Sequence, residues 1–244
     1  MKQGLFEIVE NMPLTENVYK MRLRGDTSDI TASGQFVNIK LDGLFLRRPI
    51  SVCDCDGDIV TIIYKVVGKG TEQLSKMQSG TLDVLTGLGN GYSTEKSGDK
   101  PLLLGGGVGV PPLYLLAKKL IKEGKKVSVI LGFNTKSEVF YKEEFEALGA
   151  DVTVTTVDGS LGVKGFVTDA AVDMDYSYYY TCGPEPMLKA IYNNLKTSGQ
   201  LSFEERMGCG FGACMGCSCK TIAGYKRICK DGPVLEREEI LWEN

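Results

Sequence analysis

The sequence predicts a multidomain α+β chain in three parts: an N-terminal antiparallel β-barrel over 1–97, a parallel-sheet α/β unit over 98–199, and a small C-terminal module over 200–244. Three observations predict it. Short alternating or β-branched runs separated by glycines fill the first part, and a strand–helix rhythm sets in after Lys100. Five of the eight cysteines then fall beyond residue 200. At 244 residues the chain is long enough for more than one compact core.

In the first part, Val18–Leu23 and Gln35–Leu41 nearly alternate apolar and polar positions, as half-buried strands do. Ile59–Tyr64 is β-branched and aromatic, the composition of a buried strand. Gly34, Gly43, Gly57, Gly68, Gly80 and Gly87 fall between such runs as turn residues. Short strands at this spacing predict a small antiparallel barrel, interrupted by one helix near Thr71–Met77. After Lys100, Pro101–Leu104 reads as a short apolar strand, followed by a glycine loop and a helix. Leu113, Leu116, Ala117, Leu120 and Ile121 give that helix one apolar face. Strands at Val127–Gly132, Val152–Val157 and Tyr176–Cys182 then alternate with helices at Tyr141–Leu148, near Thr168–Val172 and at Glu185–Leu195. That alternation predicts a parallel sheet with helices on both faces.

Composition narrows the chemistry. Hydrophobic content of 43% and charged content of 24% are those of a water-soluble globular chain. A net charge of −3 gives no reason to expect nucleic acid or an anionic membrane as partner. The N-terminal residues lack the apolar run of a signal peptide, and no stretch reaches the length of a membrane span, so a cytoplasmic location is expected. Eight cysteines in such a chain point to metal or redox groups rather than disulfides. The histidine count is zero, which excludes a haem His ligand, a Rieske cluster, a His-based triad and imidazole acid–base catalysis. Chemistry must then come mainly from bound cofactors.

Cys209, Cys214 and Cys217 are spaced C-x4-C-x2-C, with Cys229 after eleven further residues, the plant-type spacing of a [2Fe–2S] cluster. Gly208, Gly210, Gly212 and Gly216 keep that loop free of bulk, so it can wrap a cluster closely. The rival is a four-thiolate zinc site, since Cys214-x-x-Cys217 also suits a zinc knuckle. Cys219 is a spare thiol that two-residue spacing does not exclude as a ligand, although Cys217 completes the C-x2-C unit.

Gly105-Gly106-Gly107-Val108-Gly109 follows the first strand of the alternating sheet and opens a helix, where glycines let backbone N–H groups approach a pyrophosphate. It is not a full G-x-G-x-x-G, because Pro112 stands where the third glycine would be; an unliganded tight turn is the alternative. In Arg48-Pro49-Ile50-Ser51, the arginine can pair with a flavin pyrophosphate and the serine can bond an isoalloxazine edge. Alone, that tetrapeptide reads as a surface turn. Cys182-Gly183-Pro184-Glu185-Pro186-Met187 ends the last strand at the carboxyl edge, where such sheets bind ligands, although a plain loop would look the same. For the nucleotide ribose, Lys136 and Glu138 offer one charge of each sign, so the residues do not choose NAD over NADP.

Taken together, these residues resemble the ferredoxin-reductase superfamily. Within it, the motif order is similar to the electron-transfer subunit of class 1B dihydroorotate dehydrogenase. The resemblance runs over nearly the whole chain: Arg47-Arg48-Pro49-Ile50-Ser51, Ile63-Tyr64-Lys65, Gly70-Thr71, the Gly105–Gly109 loop, Cys182–Met187, Glu205–Gly210 and Cys229–Val234. It implies FAD held by Arg48, Pro49, Ile50, Ser51, Ile63, Tyr64, Lys65, Gly70 and Thr71. It implies NAD(H) against Gly105, Gly106, Gly107 and Gly109 on one side and Cys182, Gly183, Pro184 and Glu185 on the other. Cys229 is supported as the fourth cluster ligand. One departure is Ile50, which stands where the superfamily has a tyrosine stacked on the flavin; Tyr64 is a candidate substitute. The resemblance further implies an FMN-containing dihydroorotate dehydrogenase catalytic subunit as partner, in a heterotetramer of two copies each, and a place in pyrimidine biosynthesis. A second reading keeps the cofactors and changes the partner to a sulfide dehydrogenase, glutamate synthase, hydrogenase or ferredoxin:NADP system. A third is a zinc-stabilised or redox-sensing binding module without flavin. No residue is expected to act as nucleophile or general base.

Overall fold

The alternating N-terminal runs close into a barrel. In this computed structural model, which describes residues 1–242, six strands form it: β1 (Lys2–Pro13), β2 (Val18–Arg24), β3 (Phe36–Lys40), β4 (Arg48–Asp56), β5 (Ile59–Lys65) and β6 (Thr81–Leu88). They pair antiparallel in the order β1-β2-β5-β4-β3-β6, and β6 returns to β1. Inward residues such as Phe6, Met21, Leu23, Val37, Ile39 and Ile62 fill the interior. Arg48–Ser51, which alone reads as a turn, forms the first residues of β4 and pairs with β3. Gly87 is not between strands but inside β6, with φ of 67°, in the stretch where the β3–β6 register slips. The helix α1 (Lys69–Ser75) begins two residues ahead of the expected Thr71. The Thr71 hydroxyl accepts the backbone N–H groups of Val67 and Gly68, which closes the turn before it.

After Lys100 come β7 (Pro101–Gly106), α2 (Pro111–Lys122), β8 (Ser128–Phe133), α3 (Lys142–Ala147), β9 (Asp151–Thr156), β10 (Val163–Lys164), α4 (Val167–Ala171), β11 (Tyr178–Cys182) and α5 (Glu185–Asn194). The expected sheet has helices on both faces. Leu103 of β7 packs with α2 and α3 residues Leu113, Leu116 and Phe145, whereas Leu102 and Leu104 pack with α4 and α5 residues Val167, Leu188 and Ile191. The chain then adds β12 (Gly199–Ser202), the hairpin β13 (Ser218–Thr221) and β14 (Gly224–Arg227), and β15 (Val234–Glu236).

The sheet order is β10-β9-β8-β7-β11-β12-β15, parallel throughout except for the edge strand β15. The expected break at residue 200 therefore falls inside β12, and β15 returns from beyond the cysteine loop to pair with it. The parts share their cores. Barrel residues Val18, Cys53 and Ile63 pack into the α2 face, while Phe36, Leu85 and Leu88 pack with Cys217, Ile228 and Cys229. Among the described residues, no helix is long and apolar enough to cross a membrane.

Candidate functional site

Strands β4 and β5 open onto a cleft of about 360 Å³, which also takes residues from the central sheet and from the approach to the cysteine loop. Of the residues singled out in the sequence, Arg48, Pro49, Ile50, Ser51, Ile63, Tyr64, Lys65, Thr71 and Cys182 line it. Gly70 sits beneath them for a steric reason: a Cβ there would lie 2.0 Å from the Arg48 Nε. The arginine thus lies across the first turn of α1, and only glycine admits it.

Tyr64 has little ring surface to offer a ligand. Its ring stacks on Tyr19 at 6.0 Å, its hydroxyl donates to Asn11 Oδ1 at 3.0 Å, and burial pushes its pKa up to about 12. The ring is a core group of the barrel that borders the cleft.

The glycine loop and the segment after β11 meet at the cleft rim. A Cβ at Gly109 would fall 2.3 Å from the Cys182 carbonyl oxygen, and one at Gly106 would fall 2.5 Å from Met187 Sδ. Gly105 presses on Val110, and Gly183 lies against Met187 beside Pro184, which caps α5. These glycines are needed for close packing of the two loops. Gly107 differs: its φ is +53° and a Cβ there would meet nothing within 4 Å, so its backbone faces open space. It precedes α2, a 12-residue helix that opens on Pro111 and Pro112, whose missing N–H groups cost little in a first turn. Glu138 is engaged locally, accepting from the backbone and side-chain amides of Asn134. Cys182 is buried; burial and then the Glu204 carboxylate push its thiol up to about 12, so it stays protonated at neutral pH.

Sequence reasoning missed part of the cleft. Phe36, Val108 and Ser202 line it, as do Glu204, Met207 and Pro233. No local spacing marks them; strand pairing and the return of β15 bring them together. Glu204 has its carboxyl pKa raised by desolvation, although part of the side chain stays open to solvent. Glu185 faces a second cavity of about 460 Å³, shared with Cys219, Phe203 and Trp242.

The four cysteines come together as two pairs. The Cys214 backbone N–H points at Cys209 Sγ at 3.4 Å, and the Cys229 N–H at Cys217 Sγ at 3.4 Å, so each pair lies side by side. The Ala213 N–H also points at Cys209 Sγ, at 3.2 Å. Burial raises the Cys209 pKa, but backbone N–H groups of Phe211, Cys214 and Ala213 outweigh it and bring the thiol down to about 6. Cys229 moves the other way, up to about 12, through burial and the neighbouring Cys217. Gly208 and Gly216 flank Cys214 Sγ, their added Cβ atoms falling 3.2 and 3.6 Å from it. Among the described residues, no three Cys, Asp or Glu side chains are set to hold a single metal ion. Two thiol pairs with N–H groups aimed at sulfur fit a two-iron cluster, in which each iron takes two cysteines.

Comparison with known proteins bears on the same segment. Residues 204–241 match the iron-sulfur cluster binding domain of dihydroorotate dehydrogenase B, and residues 103–193 match the oxidoreductase NAD-binding domain. The Bacillus pumilus dihydroorotate dehydrogenase B (NAD(+)), electron transfer subunit, is 45% identical over 255 residues, covering 98% of each chain. The Fusobacterium nucleatum protein of the same name is 46% identical, over 93% of this chain and 94% of its own. Among solved structures, the NADH-dependent reduced ferredoxin-NADP oxidoreductase aligns with a TM-score of 0.88 at 32% identity, over 98% of this chain and 90% of that one. The ferredoxin reductase of carbazole 1,9a-dioxygenase shares the fold, with a TM-score of 0.67 at 21% identity over 79% of this chain and 65% of that one. Identity at this level along almost the full length means that the chain belongs to the family of electron transfer subunits of dihydroorotate dehydrogenase B (NAD(+)).

Proposed function

We propose that the chain carries electrons between the FMN of a dihydroorotate-oxidising partner subunit and NAD+, using a [2Fe–2S] cluster and FAD of its own, in a cytoplasmic assembly of two copies of each subunit. The observation that supports this most is the single cleft joining β4 and β5 to Cys182 and to the segment that enters the cysteine loop. A flavin bound there supplies the exchange between two-electron nicotinamide chemistry and one-electron cluster chemistry.

The chain's own residues bind and orient. Arg48, laid over Gly70, would pair with a pyrophosphate, and the Ser51 hydroxyl would bond the isoalloxazine edge. Ile50, Ile63 and Lys65 border the same cleft, with Thr71 at the turn into α1. The open backbone at Gly107 and the start of α2 suit the nucleotide phosphates. Cys182, Gly183 and Pro184 would border the nicotinamide, with Glu185 turned to the neighbouring cavity. Cys209 and Cys214 would hold one iron, Cys217 and Cys229 the other. The Cys182 thiol in the cleft stays protonated at neutral pH.

A second reading is a reductase subunit of a ferredoxin:NADP system, favoured by the 32% identity to the ferredoxin-NADP oxidoreductase. Co-expression with a dihydroorotate-oxidising partner, anaerobic purification and assay of dihydroorotate-dependent NAD+ reduction separates the two. The first reading expects turnover that is lost in Cys209→Ser or Cys214→Ser while flavin absorbance is kept. A flavin-and-cluster spectrum bleached by NADH, without dihydroorotate turnover, favours the second. A colourless zinc protein overturns both.

A further inference from the structure

We propose that Asn38 is the positioning residue that holds the cysteine loop at a fixed reach from the flavin cleft, and so sets how fast electrons cross between them. The proposal rests on the reading of cleft and loop given above. Asn38 lies in β3, 1% exposed, on the strand face it shares with Phe36, which lines the cleft. Its register partner across the sheet is Pro49, another lining residue. From that position its side-chain Nδ2 donates to the backbone carbonyl of Cys209 at 3.2 Å. Among the described residues this is the one hydrogen bond from the barrel to the loop over 208–217.

The loop is shaped to receive it. Gly210 has a φ of +79°, and a Cβ there would fall 2.3 Å from the Asn38 Nδ2. A Cβ there would have to displace either the Asn38 amide or the loop, and the positive φ adds strain for any other residue. The strand beneath is braced as well: Arg47 Nη1 donates to the Asn38 carbonyl at 3.3 Å, and to the Asp83 carbonyl and carboxylate at 3.0 Å. Asn38 Oδ1, by contrast, is buried with no partner. An orphaned buried acceptor carries a desolvation penalty that an apolar residue of the same size would avoid. The amide is therefore a poor choice for packing and a good one for gripping Cys209. With both groups bound, the cluster would pass one electron at a time to the flavin across this contact, and two such electrons with one proton would leave as the hydride that NAD+ accepts.

The test uses the complex loaded with its cofactors. NADH-driven reduction is followed by stopped flow, with flavin bleaching and cluster bleaching read separately, in Asn38→Leu and Gly210→Ala. The first removes the donor, and the second crowds the contact from the loop side. Both are expected to slow the cluster phase about tenfold, the scale of effect that a small loss of positioning produces, with the flavin phase unchanged. The reduced-cluster EPR signal persists, and amide hydrogen exchange over 208–216 rises in Asn38→Leu. An unchanged cluster phase in both variants overturns the proposal, as does equal slowing of the two phases. If a variant fails to load the cluster, unchanged exchange over 208–216 in its unloaded form overturns it too, and faster exchange upholds it. A wild-type protein without flavin and cluster absorbance overturns the functional reading itself, and this proposal with it.

Discussion

Single residues at the cleft are fixed by what a substitution would strike. At Gly109 an added methyl meets the Cys182 carbonyl, which is backbone and cannot turn aside. Gly109→Ala should lower stability by roughly 1–3 kcal/mol, seen as a fall in the urea midpoint, and should weaken NADH binding because the two loops part. Tyr64 makes a different prediction. Its hydroxyl is the donor for Asn11 Oδ1, and Asn11 is itself buried with its amide committed to the carbonyls of Leu74 and Met77. Tyr64→Phe should therefore cost about 1–2 kcal/mol in chemical denaturation, the size of an orphaned buried acceptor. Flavin content should not change, because the ring still stacks on Tyr19.

Between elements, β3, β6 and the β3–β4 turn are tied by Arg47 and Asp83. Burial raises the Asp83 carboxyl pKa, but the Arg47 guanidinium and the Gln3 amide outweigh it, so the net shift is downward. A carboxylate whose folded pKa lies below its unfolded one adds stability that is complete above the unfolded value. That stability is lost as pH falls through the folded one. Asp83→Asn should thus cost about 1 kcal/mol at neutral pH for this partly exposed pair, and the wild-type and variant stabilities should converge in strong acid. Elements also show what the sequence can and cannot disclose. β2 is legible because one face is buried and the other is not, and β3 because polar and apolar residues nearly alternate although both faces are covered. β5 is legible because its residues are β-branched and aromatic. β1 is blurred by Leu5 and Val9, apolar residues that face outward at 72% and 37% exposure. β4 is hidden because Pro49 is its second residue and its register with β5 shifts between Val52 and Asp54. The four candidate cysteine ligands are legible since their spacing is local, whereas Phe36, Ser202 and Pro233 reach the cleft only through pairings between distant segments.

Over the whole molecule, shared cores make the three parts one cooperative body. The α2 face holds Val18, Cys53 and Ile63 of the barrel, and the opposite face holds Phe36 with Cys217 and Cys229. The salt bridge from Lys118 to Asp54 and the Tyr92 hydroxyl on the Thr181 carbonyl cross the same boundary. Unfolding followed by flavin fluorescence and by far-UV circular dichroism should give coincident transitions; a separate barrel transition would show that these contacts do not couple the parts. The edge strand β15 has a consequence of its own for biogenesis. Its residues Val234, Leu235 and Glu236 pair with Ser202, Leu201 and Gln200, and the Phe203 N–H donates to the Pro233 carbonyl, so both stems of the cysteine loop are clamped to one sheet edge. Loop-closure entropy is met by sheet formation rather than by iron. The sheet can therefore close the stems of this loop before any cluster is bound.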